Sequence, residues 1–196
     1  GGLSTRMGCD KAFLPFGASS LLNYQITRFR PYFDKIYVSV PAHNERPVDY
    51  TGRFGCPAVE DEFSNLGPIG GLYSCLRAIP EDILFFTSVD APFTDPSLAV
   101  TLCDRLSNAD AGHIRTCTIE NPSGQIQPLF AAYRKSCLQR ITELIREQKY
   151  RLKALFDEES SIIHDGFFPP EQFFNMNDPT SYYYALHKLS RETPAA

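Results

Sequence analysis

Apolar residues recur along the chain in two alternating rhythms, one of helical spacing and one of short unbroken runs. In "SSLLNYQITRFRPYF" the spacing puts Leu22, Ile26, Phe29 and Phe33 on one helical face, with Ser19 or Ser20 as the cap. "KIYVSV" follows as a buried strand that Pro41 stops. Helical spacing returns in "GGLYSCLRAI" through Leu72, Leu76 and Ile79. "ILFFTSV" is the strongest strand, apolar on both faces as a central parallel strand would be. Asp95 before Pro96 marks a cap and first turn for a helix carrying Leu98, Leu102 and Leu106.

The second half keeps the alternation. "HIRTCTI" and "IQPLFAAY" read as strands on either side of the turn-rich "ENPSG". "KSCLQRITELIREQ" is amphipathic through Leu138, Ile141, Leu144 and Ile145. "QFFNM" reads as a last short strand, followed by a helix from Pro179 to about Leu189 whose run "YYYALHKL" packs it in place. The pattern predicts one α/β domain over residues 1–189 and a frayed tail over 190–196. Its architecture is three layers, with helices on both faces of a mainly parallel sheet.

Composition narrows the function classes. A net charge of -4 over 196 residues gives no electrostatic footprint for nucleic acid. No run of roughly 18 apolar residues predicts a membrane span. The six cysteines are scattered, with no C-x-x-C pair, and the four histidines form no cluster. Reduced thiols, a cytoplasmic location and no zinc site are therefore expected. A G-x-S-x-G elbow and a convincing Cys–His arrangement are both absent, so nothing calls for a covalent nucleophile.

In open α/β sheets, ligands sit beyond the carboxyl ends of the strands. That rule selects "PAHNERP", "EDEFSNLGPIGG", "DAPFTDP", "NMNDP" and the opening "GGLSTRMGCDK". The opening loop combines close-approach glycines with Arg6 and Lys11, the right groups for an anion such as phosphate. It matches neither the Walker A pattern nor the dinucleotide fingerprint, and read alone it is also compatible with a polar surface loop. Asp90 ends the strongest strand, placed to hold Mg²⁺ against phosphates or to close a turn. Gly67, Gly70 and Gly71 open a helix, as a tight turn or a nucleotide pocket. Asp61 precedes them and can accept hydrogen bonds from a base or ribose. Asn175 and Asn177 offer amide oxygens to a metal shell, while Asp178 before Pro179 suits a helix cap.

The ordered motifs "GGLSTRMGCDKA", Asp61 before "GPIGGL", "SVDAPF", "QPLFAAY" and "NMNDP" together resemble the molybdenum cofactor guanylyltransferase family. That family is a branch of the nucleotidyltransferases with a Rossmann-like fold. The resemblance runs from Gly1 to about Leu186, and its first motif is the most specific. It implies Mg²⁺-dependent transfer of GMP from GTP to molybdenum-molybdopterin, with pyrophosphate leaving and a guanine dinucleotide cofactor as product. By motif, it sets Gly1, Gly2, Leu3, Ser4, Arg6 and Lys11 against the nucleotide. Asp61 and Gly67 join the same pocket, and Asp90 and Asn177 hold Mg²⁺. Gln127, Pro128 and Leu129, with Asn175, face the acceptor. Transient contact with pterin-carrying proteins is also implied.

Two departures from the family pattern stand out. Family members enter the opening loop from a buried strand ending in Leu-Ala, so the chain as given is expected to lack its first strand. Pro41 stands where the family often has Asn, with Asn44 nearby. Alternatives are a CTP-dependent molybdopterin cytidylyltransferase, a nucleotidyltransferase for another small phosphate, or a non-catalytic nucleotide-binding module.

Overall fold

The computed structural model describes residues 10–42 and 48–192. Expectations for Gly1, Gly2, Leu3, Ser4, Arg6 and Asn44, and for the first strand, lie outside the described residues. The chain divides into two compact units.

The first unit comprises Tyr37–Thr87 and Ser97–Phe167. Strand β3 (Val38–Val40) pairs in parallel with β4 (Ala58–Glu60) and sets Ser39 beside Val59. (Pro15–Phe16 and Ser19–Ser20, in the other unit, are β1 and β2.) Between them runs the short helix α2 (Tyr50–Phe54), capped by Asp49, which accepts from Gly52 N–H at 2.8 Å. Helix α3 (Pro68–Ala78) follows, with proline in its first turn where a missing N–H costs nothing.

The main sheet has four strands in the order β5 (Ile83–Thr87), β7 (Ile126–Arg134), β6 (Thr116–Glu120) and β8 (Ser161–His164). β7 runs antiparallel to both neighbours, and only the β6–β8 ladder is parallel. Among the described residues, the expected mainly parallel sheet is thus a mixed one, and the expected central parallel strand β5 pairs antiparallel with β7 at one end of the strand order. The apolar run was a true report of cover on both faces. Leu84 and Phe86 join the main core, while Phe85 meets Phe130 edge-on at 4.8 Å. Cover on both faces does not encode strand direction.

The core of this unit joins Ile69, Leu72 and Leu76 of α3 to Ala131 and Tyr133 of β7. Cys137, Ile141 and Leu144 of α5 (Cys137–Arg146) close it, at the spacing that keeps one helical stripe inward. Each such fully buried aliphatic side chain contributes about 1.5–3 kcal/mol. From Ser97 onward, α4 (Pro96–Asn108) also belongs here and buries Ala99, Leu102 and Leu106. Beside it, the Arg134 guanidinium meets Asp82 at 2.9 Å and the Leu106 carbonyl at 2.5 Å.

The described parts of the second unit are residues 10–36, Ser88–Pro96 and residues 168–192. A small hairpin of β1 (Pro15–Phe16) and β2 (Ser19–Ser20) leads into α1 (Leu21–Phe29). Ser20 is its cap, accepting from Asn23 N–H at 3.5 Å. The inward face of α1 is Leu21, Gln25, Ile26 and Phe29, so a polar side chain takes one of its buried positions.

The expected strand over "QFFNM" is a correction. Residues Pro170–Phe173 form a single 3₁₀ turn, and Asn175–Asn177 is a loop. Pro169 and Pro170 preset the backbone dihedral angle for that turn, and neither can donate to a ladder. Helix α6 (Pro179–Glu192) follows and extends beyond the predicted Leu189. Of its tyrosines, Tyr182 packs against the core as expected, donating its hydroxyl to the Pro15 carbonyl at 2.5 Å, and the Tyr184 ring lies 5.3 Å from that of Phe174. Tyr183 and Tyr184 are exposed. Phe16, Leu21, Met176 and Ala185 form the centre of this unit's core.

Candidate functional site

Lys11 and Asp90 are brought together in the second unit across a sequence separation of 79 residues. Asp10 creates the local geometry by accepting from Ala12 N–H at 3.1 Å, which caps the 3₁₀ turn Lys11–Phe13. Lys11 Nζ then lies 2.6 Å from Asp90 Oδ2, with the two side chains 13% and 18% exposed. The Ser88 hydroxyl donates to Asp90 Oδ1. Each carboxylate oxygen thus has one donor and keeps a further acceptor position.

Asp90 is fixed through its backbone as well. Its carbonyl accepts from Met176 N–H at 2.8 Å. Met176 is fully buried, and its neighbours Asn175 and Asn177 are exposed on either side. The buried methionine therefore moors the two asparagines beside the turn that carries Asp90. Asp178 takes the expected capping role, accepting from Ser181 N–H at 2.8 Å, while Asn177 N–H donates to the Ser181 hydroxyl at 3.0 Å.

A separate group forms in the first unit. The Ser39 hydroxyl donates to Asp61 Oδ1 at 3.1 Å, and Asp61 N–H donates to the Val40 carbonyl at 2.9 Å. Gly67 starts α3 with φ 66°, a left-handed conformation that favours glycine. Gly71 is required by close approach, since an added Cβ would lie 2.6 Å from Ser39 Oγ and 3.3 Å from Asp61 Oδ1. These two positions show the tight turn and close packing that the glycine run allows. Gly71→Ala should therefore cost about 1–3 kcal/mol by overpacking. Ser39→Ala added to it should restore part of that loss in urea melts. A Gly71→Ala protein as stable as the wild type would show that Ser39 and Asp61 are not held as described.

Burial pushes the Cys75 thiol up to about 11, with the nearby Asp61 carboxylate adding to the rise. Burial likewise raises Cys117 to about 11, and Cys103 and Cys137 to about 12. These four are free thiols and poor nucleophiles, because the thiolate is the reactive form. Among the described residues, no group of three or more His, Cys, Asp or Glu side chains is arranged to hold a metal. No helix among them is long and apolar enough to cross a membrane.

Gln127 and Pro128 lie on β7 in the first unit. Their carbonyls accept from the Thr118 hydroxyl at 2.8 Å and the Tyr133 hydroxyl at 2.6 Å. Ser39 and Ser88 had no assigned place in the sequence reading. Ser88 was signalled by its position two residues before Asp90, where a hydroxyl can reach the carboxylate. Ser39 carried no such signal, because its partner is 22 residues away.

The chain is similar to known proteins in both sequence and fold. The fold superposes on the crystal structure of molybdopterin-guanine dinucleotide biosynthesis protein A from Archaeoglobus fulgidus with a TM-score of 0.80. That match has 18% identity and covers 97% of this chain and 96% of the other. The molecule thereby shares the α/β fold of that protein. A family model described as the MobA-like NTP transferase domain matches residues 1–162, and the chain belongs to that family. It is 28% identical over 200 residues to a molybdenum cofactor guanylyltransferase from Mesorhizobium japonicum, covering 98% of this chain and 94% of the relative. Against a probable molybdenum cofactor guanylyltransferase from Carboxydothermus hydrogenoformans, identity is 27% over 136 residues. That second match covers 69% of this chain and spans 63% of the relative's length.

Proposed function

We propose that this protein transfers GMP from GTP to molybdenum-molybdopterin, releasing pyrophosphate and forming the molybdopterin guanine dinucleotide cofactor. Family membership and the likeness to proteins named as molybdenum cofactor guanylyltransferases support the reading. The observation that carries it is the Lys11–Asp90 pair at 2.6 Å, a cation and a carboxylate held together at a turn.

The chemistry asks for little beyond alignment and charge neutralisation. A terminal phosphate oxygen of the acceptor forms a bond to the α-phosphorus of the nucleotide. The bond from that phosphorus to the bridging oxygen breaks, and its electron pair leaves with pyrophosphate. The attacking oxygen is already ionised, so no strong protein base is needed. Positioning and electrostatic stabilisation dominate such transfers.

In this reading Lys11 turns from Asp90 to the triphosphate, and Arg6 steadies the same phosphates. Gly1, Gly2, Leu3 and Ser4 are assigned to the nucleotide by their motif, as are Asp61 and Gly67. Gln127, Pro128 and Asn175 face the acceptor.

The donor set beside Asp90 suits Mg²⁺, a hard cation that takes one or two carboxylates and otherwise oxygen ligands. Asp90 supplies the carboxylate and Asn177 an amide oxygen, on segments joined by the Met176–Asp90 backbone bond. When bound, the ion would neutralise charge on the phosphates as pyrophosphate departs. The implied compartment is the cytoplasm, with transient handover to pterin-carrying proteins.

A nucleotide panel with molybdopterin as acceptor tests the proposal. Pyrophosphate release is expected with GTP and Mg²⁺, together with the guanine dinucleotide product. Preference for CTP, or turnover only with a different phosphate acceptor, would overturn the assigned substrates. Nucleotide binding without turnover would make the chain a binding module.

A further inference from the structure

The loop that carries Asp90 is fastened to α1 through its carbonyl oxygens, and the fastening residues belong to no motif named above. Gln25 is a buried amide at 5% exposure, and its Nε2 donates to the Ala91 carbonyl at 2.6 Å. One turn further along α1, the Arg28 guanidinium donates to the Pro92 carbonyl through Nη1 and to the Thr94 carbonyl through Nη2 at 2.7 Å. Residues three apart on a helix share a face, so the two side chains reach the loop together.

The clamp is itself supported. The Arg28 guanidinium lies 5.6 Å from the centre of the Tyr24 ring, and Tyr24 meets Phe16 edge-on at 4.8 Å. At the far end of the loop, Asp95 N–H donates to Gln172 Oε1 at 2.7 Å. Together with the Met176 bond to Asp90, the carbonyls of Asp90, Ala91, Pro92 and Thr94 all have donors from outside the loop. A turn of this length could close with far fewer ties.

We infer that Gln25 and Arg28 are positioning residues, which act through the Ala91–Thr94 backbone to hold the Asp90 carboxylate where a divalent cation and the nucleotide phosphates meet it. This rests on the proposed nucleotidyl transfer. Arg28 is suited to the task because a planar fork can bind two carbonyls in a fixed geometry, whereas a lysine offers one mobile point charge. Gln25 ties the Ala91 carbonyl to α1, beside the Thr94 hydroxyl that donates to the same oxygen at 3.1 Å from within the loop. A misplacement of about 1 Å at a reacting group can cost on the order of 10²-fold in rate.

The test compares full-length wild type, Arg28→Met, Arg28→Lys and Gln25→Leu. Mn²⁺ binding is measured by electron paramagnetic resonance, transfer by kcat and KM, and folding by circular dichroism melts. Folded Arg28→Met should bind Mn²⁺ at least about tenfold more weakly and lose kcat at least about tenfold, with KM for the nucleotide changed less than about threefold. Arg28→Lys should fall between it and the wild type. Should Arg28→Met not fold, Gln25→Leu carries the same comparison, since it keeps both guanidinium bonds. Wild-type Mn²⁺ affinity and kcat in folded Arg28→Met and Gln25→Leu would overturn the inference, and so would a wild type that binds no Mn²⁺. Failure of the proposed function shows separately, as a wild type that binds Mn²⁺ but releases no pyrophosphate. The Mn²⁺ comparison then still decides the clamp.

Discussion

Asp90→Asn is expected to leave a folded protein whose nucleotidyl transfer is lost by about 10³-fold or more in kcat. The amide has the shape of the carboxylate, so Lys11 can still donate to its oxygen. Its backbone carbonyl still receives Met176 N–H. What disappears is the negative charge, the one feature a hard divalent cation needs from this residue. Removing a single preorganised electrostatic contact commonly costs about 10²–10³ in rate. The loss here should reach or exceed the top of that range, because the metal and its charge on the phosphates would go with it. Circular dichroism together with pyrophosphate release at saturating GTP and Mg²⁺ provides the measurement. An Asp90→Asn protein turning over within tenfold of the wild type would remove Asp90 from the proposed chemistry.

Lys11→Met has the second-largest expected effect, and it differs in kind. The flexible methionine fills the space of the lysine stem but gives neither Asp90 nor a phosphate a positive partner. Transfer should fall by about 10²–10³-fold. Stability should fall as well, by about 1–3 kcal/mol, because Asp90 is left largely buried with only the Ser88 hydroxyl donating to its side chain. Asp90→Asn should show a smaller loss, because the Lys11 ammonium loses its counter-charge but keeps an amide oxygen as acceptor. The two variants thus separate a charge needed for the metal from a charge needed for both the resting pair and the phosphates. A double variant should melt nearer Asp90→Asn than Lys11→Met, since the uncompensated carboxylate is then gone. Unchanged kcat in Lys11→Met, with the fold intact, would leave the lysine as a structural counter-ion only.

Several features of the fold were legible before any coordinates. Helical spacing located α1, α3, α4, α5 and α6, and Ser20 was one of two residues named as the cap of α1. The elements that escaped were short: β1, β2, α2, β4 and β8 span from two to five residues each. Such segments hold too few positions to show a period, and pairing partners far along the chain stabilise them. The loop over Asn175–Asn177 was misread as a strand end because "QFFNM" has the aromatic content of a strand. The prolines before it decided the local backbone.

The candidate site divides in the same way. Lys11, Asp61, Asp90 and the asparagines were visible as chemical types at loop positions. Their partners were not. Ser39 for Asp61, Lys11 for Asp90, and Gln25 and Arg28 for the Asp90 loop are choices among residues 22 to 79 positions apart. Gln25 even interrupts the apolar face of α1, which in sequence reads as an imperfection in a helical stripe. In the structure it is the donor to a buried carbonyl.

The sequence by itself determined where this chain is helical, which strands are covered on both faces, and which loops carry charged and glycine residues. Those properties follow from side-chain spacing and local backbone preference, which act over a few residues. Only the tertiary structure decided that β7 runs antiparallel to its neighbours, that Gly71 must lack a Cβ, and that Asp90 meets Lys11. Each of these depends on contacts between residues distant in the chain. Packing and hydrogen-bond satisfaction select such contacts, and apolar periodicity does not encode them.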